Sequence, residues 1–296
     1  MDPDSGDFLK SSNIAKITLL SFVFTTCYFY KTEQKDPGVK WIISKKDTAV
    51  FIAVKDKPPA KKKKKKTIYL TFDDGPNKGT QNVLDIVNKE EIDVTLFVVG
   101  EHVYGSNQQS ATYDSILSSR FVEVANHSYT HAFHNRFTKY YSVPDSVVKD
   151  FERCVDSLQL HSKIARTPGR NIWRLKNIQQ TDINSSSAAA DSLQQNGYSV
   201  MGWDLEGNYN NQLEAVQTTE QMASQVDSMF TYNYNKTTGH LVLLAHDQVY
   251  ADCKDSASLH RFICTLKEKD EYDFAMVNQY PAILHLSERD SVITKK

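Results

Sequence analysis

The chain has 296 residues, 40% of them hydrophobic, which is enough apolar material for one large core or two modest ones. Residues 1–66 hold 15 Lys against 7 acidic residues, a balance of +8, whereas residues 67–296 hold 20 basic and 29 acidic residues, a balance of −9. The acidic body argues against a nucleic-acid-binding protein, and four cysteines without a CxxC pair argue against a disulfide framework.

The first element along the chain is an apolar segment, Ile17–Tyr30 ("ITLLSFVFTTCYFY"), with fourteen uncharged residues. It fits an export signal or an uncleaved membrane anchor, and no small-x-small cleavage site follows it, which favours the anchor. Cys27 leaves lipidation as an alternative. A positive-inside count of the lysines that follow would keep them in the cytoplasm, but long domains translocate largely regardless of charge. We interpret residues 1–30 as a signal anchor or signal peptide, with membrane contact through residues 14–30.

Residues 31–66 predict a lysine-rich tether that ends in six consecutive lysines, Lys61 to Lys66. Such a run is typical of a solvated, self-repelling linker, and contact with anionic lipid or polymer is the alternative. The expected arrangement is a main domain that is membrane-anchored or exported, held in the periplasm or outside the cell.

From Thr67 to residue 290 the sequence alternates apolar strand-like runs with helix-like stretches, which predicts a single α/β domain. Predicted strands cover residues 67–73, 93–99, 121–126, 163–167, 198–206, 240–246 and 273–277, and predicted helices lie near 80–90, 107–118, 144–160, 186–196, 216–231 and 256–269. About seven such units indicate a distorted (β/α) TIM-like barrel, whose chemistry belongs at the carboxyl ends of the strands.

Ionisable side chains recur at those predicted strand ends. They are Asp73 and Asp74, His127 and His131, Arg166, Asp204 and Glu206, and His246 and Asp247. His127 and His131 are four residues apart, which would place both imidazoles on one face of a helical turn, as a transition metal requires. A carboxylate from a neighbouring strand would complete a site that still has positions open for water or substrate.

Three of these stretches, "TFDDGP", "NHSYTH" and "LLAHD", resemble motifs of the polysaccharide deacetylases with a NodB homology domain, carbohydrate esterase family 4. The resemblance covers about residues 67–250. It implies that Asp74, His127 and His131 hold a divalent metal, zinc first, with cobalt, nickel or manganese as alternatives. It also implies that Asp73 is the general base and that Arg166 lies within reach of it.

The same resemblance implies that His246 approaches from the opposite side of the barrel and protonates the departing amine, supported by a carboxylate. Asp204 and Glu206 are competing candidates for that support. Leu244 alternates with His246 and is expected beside the acetyl methyl group.

The third motif, "ARTPGR", departs from the family because no aromatic residue separates Pro168 from Gly169. In the family, the backbone N–H of this aromatic commonly helps to bind the oxyanion and its ring helps to wall the groove. The departure predicts that Gly169 supplies the N–H, or that the loop is rebuilt around Arg170 and Trp173.

The leading hypothesis is a metal-dependent deacetylase that acts on N-acetylated amino sugars of a polymer or oligosaccharide, such as peptidoglycan, a chitin-like chain or poly-N-acetylglucosamine. One alternative is a carbohydrate-binding or scaffold barrel with weakened turnover, motivated by the altered third and fourth motifs. Another is an O-acetyl esterase on a xylan-type polymer, because the tetrahedral oxyanion is similar for both acetyl linkages.

Overall fold

The computed structural model of the protein describes residues 64–283. The predicted anchor, nearly all of the predicted tether and residues 284–290 of the predicted domain lie outside the described residues. Within residues 64–283, no helix is long and apolar enough to cross a membrane.

Ten strands form one curved sheet in the described part of the chain. They are β1 (Lys66–Gly75), β2 (Val94–Val98), β3 (Val122–Asn126), β4 (Ile164–Ala165), β5 (Ile172–Leu175), β6 (Ile178–Thr181), β7 (Ser199–Val200), β8 (Leu205–Glu206), β9 (His240–His246) and β10 (Tyr272–Phe274). The strand order is β6-β5-β7-β4-β3-β2-β1-β9-β8, with β10 also paired to β1. Every pairing is parallel except those that the β5–β6 hairpin makes internally and with β7.

Helices connect the strands and cover the outer face of the sheet. They are α1 (Thr80–Glu90), α2 (Gly100–Val103), α3 (Asn107–Ser118), α4 (His131–Asn135), α5 (Phe137–Tyr141), α6 (Pro144–Leu158), α7 (Ser187–Gln195), α8 (Thr219–Thr231) and α9 (Cys253–Glu268). The local sequence explains where several helices begin. Pro144 is the first residue of α6, Thr218 and Gln221 form a capping box on α8, and the Asp252 side chain caps α9. The six longer helices match the predicted ones closely.

Strand alternation in β1 determines which side chains enter the barrel. Ile68, Leu70 and Phe72 pack outward in the cluster that includes the helices, whereas Tyr69 belongs to an inner cluster with residues of the other strands. Asp73 follows Tyr69 at even spacing and therefore points inward, at the carboxyl end of the strand. The predicted α/β barrel and the position of its mouth are confirmed.

The predicted strand 198–206 is wrong, because it is two short strands, β7 and β8. They stand near opposite ends of the strand order, although only residues 201–204 link them, so the sheet curls until its ends approach. No ladder joins β6 to β8 among residues 64–283, and the barrel stays open there. Gly202 is required in the link, since a Cβ atom there would lie 2.1 Å from Asn171 Oδ1.

Candidate active site

Asp73 and Asp74 end β1, and their side chains reach the same mouth through different backbone geometry. Asp73 keeps the strand alternation and is 2% exposed. Asp74 has a φ of +76°, and the β1–β2 register shifts between Asp73 and Gly75, which is the pattern of a β-bulge. The bulge lets two adjacent carboxylates face one point, at the cost of a left-handed backbone at a residue other than glycine.

His127 presents a single ring nitrogen to Asp74. Its Nδ1 lies 2.9 Å from the Arg166 carbonyl oxygen, which can only accept, so Nδ1 carries the hydrogen and donates it. The other nitrogen, Nε2, is 3.4 Å from Asp74 Oδ1. The hydrogen bond from Nδ1 to the Arg166 carbonyl fixes the tautomer and ring orientation that a metal-ligating histidine needs.

His131 reaches the site in a way that the sequence spacing did not predict. We expected a right-handed helical turn to align it with His127, but His131 and the four residues after it have φ values from 46° to 65°. This left-handed turn forms α4 and brings His131 Nε2 to 3.1 Å from Asp74 Oδ1. Left-handed residues other than glycine cost about 1–2 kcal/mol each, so neighbouring contacts must stabilise the turn.

Asp150 of α6 supplies contacts of that kind. Its Oδ2 accepts hydrogen bonds from the hydroxyls of Thr130 and Tyr140, each at 3.0 Å, and from the Thr130 backbone N–H at 3.3 Å. Thr130 Oγ1 in turn accepts from the Phe133 N–H within the turn. Asp150 is 6% exposed, and no motif in the sequence identifies it as part of the site.

The three predicted ligands lie together as one donor set. Ligand atoms of Asp74, His127 and His131 are all within 4.8 Å of one another. Asp74 Oδ1 is buried and makes no hydrogen bond within the described residues, which is what a ligand atom awaiting a cation would show. Burial raises the pKa of Asp74, but both imidazoles attract its charge and hold that pKa well below its usual range. Two imidazole nitrogens and one carboxylate oxygen fit a divalent metal, and zinc accepts all three donors.

Asp73 is held by Arg166 and is kept apart from this donor set. The fully buried Arg166 donates from Nη1 to Asp73 Oδ1 and to Thr71 Oγ1, both at 2.8 Å, and from Nε and Nη2 to the carbonyl oxygens of Met201 and Gly202. Burial lowers the pKa of Arg166, and the nearby Asp73 charge opposes this. Asp73 Oδ2 lies 3.7 Å from His127 Nε2, so one oxygen remains available on the side of the metal site.

His246 lies beside Asp73, not across the barrel. The strand β9 pairs directly with β1, and the register places His246 opposite Asp73. The expectation of an approach from the opposite side is therefore wrong. The half-buried ring of Tyr209 packs edge-on against the His246 imidazole, with ring centroids 5.0 Å apart.

The structure separates the two candidate supports of His246. The Asp204 carboxylate accepts hydrogen bonds from the backbone N–H groups of Lys236 at 2.8 Å and Val242 at 2.9 Å, so it ties loop to strand. Glu206 lies within electrostatic range of His246. Burial raises the pKa of Glu206, the His246 charge opposes that shift, and the Asp73 charge adds to it. No hydrogen bond joins a carboxylate to the buried His246 Nδ1 among the described residues.

The loop of the altered third motif does not use Trp173 as its aromatic wall. Trp173 has no exposed surface and packs in the inner cluster near Tyr280, so it cannot wall a groove. Gly169 is exposed with a φ of +61°, and a Cβ atom there would lie 2.8 Å from the Phe137 ring. The Arg170 guanidinium lies over the same ring, 5.3 Å from its centroid. Phe137 therefore occupies the space beside this loop.

Leu244 and Asp247, on either side of His246, are both buried. Leu244 is 1% exposed on β9, buried next to the mouth rather than open to it. Asp247, to which the sequence assigned no role, is fully buried and accepts hydrogen bonds from Thr80 Oγ1 and Asn77 Nδ2. It pins the turn that follows Asp74, and its place directly after His246 was the only signal.

The fold and this site together define a class: an α/β barrel with a His-His-Asp donor set and a separately held aspartate at the carboxyl ends of its strands. Comparison with known sequences indicates which family has this arrangement. Residues 60–172 match the family model described as polysaccharide deacetylase. Over these residues the chain is similar to the polysaccharide deacetylases, carbohydrate esterase family 4, which is the family that its motifs resemble.

Curated relatives match the chain over a short stretch only. The chain is 40% identical over 67 residues to a chitooligosaccharide deacetylase of Bradyrhizobium sp. (strain ANU 289). The matched stretch is 22% of this chain and 29% of that protein. The chain is 38% identical over 76 residues to a chitin disaccharide deacetylase of Vibrio alginolyticus, 24% of this chain and 18% of that protein. The chain thus spans less than a third of the length of these relatives.

Solved structures support the fold over a longer range. A carbohydrate esterase family 4 esterase of Streptococcus mutans superimposes with a TM-score of 0.54 at 21% identity, covering 72% of this chain and 86% of that one. The peptidoglycan deacetylase PdaC of Bacillus subtilis gives a TM-score of 0.52 at 20% identity, covering 78% and 97%. At these identities the likeness establishes the shared fold.

Proposed function

We propose that the protein is a metal-dependent deacetylase that removes acetyl groups from N-acetylated amino sugars of a polysaccharide, such as a chitin-like chain, peptidoglycan or poly-N-acetylglucosamine. The observation that carries this proposal is that the two adjacent aspartates at the end of β1 have different partners. Asp74 joins His127 and His131, while Asp73 is held by Arg166 with one oxygen left facing the same point. The names of the chitin-type relatives support the substrate class.

The residues of the chain divide the chemistry as follows. Asp74, His127 and His131 would hold a divalent cation, which would supply Lewis-acid chemistry to the acetyl carbonyl and to water. Asp73, oriented by its hydrogen bond from Arg166, takes the proton of the attacking water. His246 lies beside Asp73 and donates a proton to the departing amine, which is a poor leaving group without one. Glu206 lies within electrostatic range of His246 and is the carboxylate that we assign to its support.

Zinc is the proposed native metal because it accepts two imidazoles and one carboxylate, with cobalt, nickel and manganese as the alternatives to test. The predicted scaffold or binding role is less favoured, since the complete donor set and base would have no use in a protein that only binds. The O-acetyl esterase hypothesis differs in its leaving group and is decided by substrate choice.

The experiment is acetate release by the purified chain on chitooligosaccharides, peptidoglycan and acetylxylan, with and without added zinc. We expect release from at least one N-acetylated substrate, loss of that release after chelation, and recovery with about one equivalent of metal. Release from acetylxylan alone would assign the esterase function. Retained binding of the oligosaccharides with no release from any substrate would assign the scaffold function.

We further propose that the catalytic domain is anchored or exported, on the basis of the apolar segment Ile17–Tyr30 and the lysine-rich tether. Deletion of residues 1–35 should yield soluble enzyme with full activity. A C-terminal reporter that works only in the cytoplasm should stay silent when fused to the full chain, and a strong signal would contradict export.

A further inference from the structure

Two half-buried aromatic rings lie against the histidines of the site and belong to none of the roles assigned so far. Phe137 of α5 meets His131 edge-on, with ring centroids 6.1 Å apart and planes at 82°. Tyr209 meets His246 at 5.0 Å and 68°. One ring thus borders the metal ligands and the other borders the histidine beside Asp73, so the two rings flank the reacting centre.

The position of Phe137 is fixed by its neighbours. Its ring fills the space that a side chain at Gly169 would need, since a Cβ atom there would lie 2.8 Å from Phe137 Cε1. The Arg170 guanidinium covers the ring at 5.3 Å and also donates to the Gly169 carbonyl oxygen at 2.7 Å. A ring held this way loses little freedom when a ligand binds.

Tyr209 is held by the loop of residues 208–217. The Val216 N–H donates to the Asn208 carbonyl oxygen at 3.1 Å, which closes the loop across its base. The Ala215 N–H donates to the Asp255 carboxylate at 3.2 Å, which ties the loop to α9. Tyr209 also bridges directly to Ala215. The ring is therefore presented by a braced loop and not by a free surface segment.

The phenol of Tyr209 also lies in the electrostatic field of the catalytic carboxylates. Burial raises its pKa, and the charges of Asp74, Glu206 and Asp73 raise it further. A neutral hydroxyl in that position is a hydrogen-bond donor for a polar ligand oxygen.

We propose that Phe137 and Tyr209 form the two walls of the pocket for the reacting sugar, with both rings against its C–H faces and the Tyr209 hydroxyl donating to a sugar oxygen. This inference rests on the proposed deacetylase function and extends it to the residues that recognise the substrate. Small-ligand sites combine such apolar walls with a few placed polar groups. The ring of Phe137 then stands where the third motif lacks its own aromatic residue.

The first test is binding of a tetramer of N-acetylglucosamine to the zinc-loaded Asp73→Asn chain, which keeps the substrate intact. In that background, Tyr209→Phe removes only the hydroxyl, Tyr209→Ala removes the ring, and Phe137→Leu keeps apolar volume against Gly169 and Arg170. We expect Kd to rise about fivefold to tenfold for Tyr209→Phe, as for one hydrogen bond, and at least about tenfold for Tyr209→Ala. Phe137→Leu should raise it about threefold to tenfold.

The matched control is Tyr234→Ala, because Tyr234 is 66% exposed and adjoins Asn235, which donates to the His240 carbonyl at the opposite end of β9 from His246. It should leave Kd unchanged. Zinc content, measured by elemental analysis, should stay at the parent value in all variants, which separates a sugar contact from damage to the donor set.

The second test compares kcat/KM on the tetramer and on an aryl acetate in the chain with Asp73 intact. Each wall variant should lose more on the tetramer than on the small ester, which has no sugar ring to hold. Equal losses on both substrates, or unchanged tetramer affinity in Tyr209→Ala and Phe137→Leu, would overturn the inference while the deacetylase function stands. A parent chain that neither binds the tetramer nor releases acetate would overturn both proposals.

Discussion

Replacing Asp73 by asparagine tests the proposal that Asp73 is the general base and that Asp74, next to it in sequence, is the metal ligand. Asparagine keeps an oxygen that can accept from Arg166 Nη1, now 2.8 Å from Asp73 Oδ1, but it cannot take a proton from water. We expect kcat to fall by roughly two to four orders of magnitude, the usual worth of a positioned base. Metal content should stay near the parent value, because Asp74 and the two histidines supply the donors.

The same substitution also has a cost in stability that the structure allows us to estimate. Arg166 is fully buried, and Asp73 is its only carboxylate partner among the ion pairs of the described residues. Removing one partner of a buried pair costs about 3–5 kcal/mol, and we expect about 3 kcal/mol in the free energy of unfolding because the amide oxygen still accepts. Urea denaturation of the metal-free chain measures this value.

Asp74→Asn is the comparison, and Thr71→Val is the matched control. Asp74→Asn should lose metal first, and activity should return at high zinc concentration. Thr71→Val removes another acceptor of Arg166 without touching a base or ligand, so it should cost about 1 kcal/mol of stability and keep its metal. If Asp73→Asn lost metal and Asp74→Asn kept it, or if both behaved alike, the division of roles would be refuted.

The remaining predictions concern the ligands, the acid and a buried carboxyl group. His127→Ala and His131→Ala should each abolish both metal uptake and acetate release, and retained stoichiometric zinc in either variant would contradict the site. His246→Ala should slow amide hydrolysis far more than hydrolysis of an activated aryl acetate, whose leaving group needs no proton, whereas equal losses would refute the acid role. Burial raises the pKa of Asp247 to about 7, against the hydrogen bonds from Thr80 and Asn77. The folded state therefore favours the protonated carboxyl group, and this stabilisation, complete below the unfolded pKa of about 3.9, is lost as the pH rises through 7. In the metal-free chain, the free energy of unfolding in urea should depend less on pH between pH 4 and 8 after Asp247→Asn. The difference over this range is at most about 4 kcal/mol, and an unchanged pH dependence would contradict the assignment.

Local patterns in the sequence were sufficient for the regular elements. The alternation of Ile68, Leu70 and Phe72 with Tyr69 and Asp73 specifies a strand with one face toward helices. The helices from α1 to α9 that exceed two turns begin and end within a few residues of their predicted bounds. These predictions succeed because periodicity and capping act over short distances along the chain.

The sequence also determined the chemistry of the site, because Asp73, Asp74, His127 and His131 stand in two contiguous motifs. It could not determine the geometry that joins them. The bulge at Asp74 and the left-handed turn after Thr130 are locally unfavourable, and they persist because distant residues, Asp150 above all, provide the compensating hydrogen bonds.

Only the tertiary structure decided between residues that the sequence left equivalent. Asp204 and Glu206 are two positions apart, yet backbone N–H groups of Lys236 and Val242 bind the Asp204 carboxylate, while Glu206 lies within electrostatic range of His246. Trp173 and Phe137 are both aromatic and near the third motif, but the curl of the sheet buries the first and leaves the second beside His131. Sequence fixes which groups a chain carries and their local spacing, whereas contacts between residues far apart along the chain decide which of those groups meet. The physical reason is that such contacts depend on how the strands curl and pair, and no short stretch of sequence contains that information.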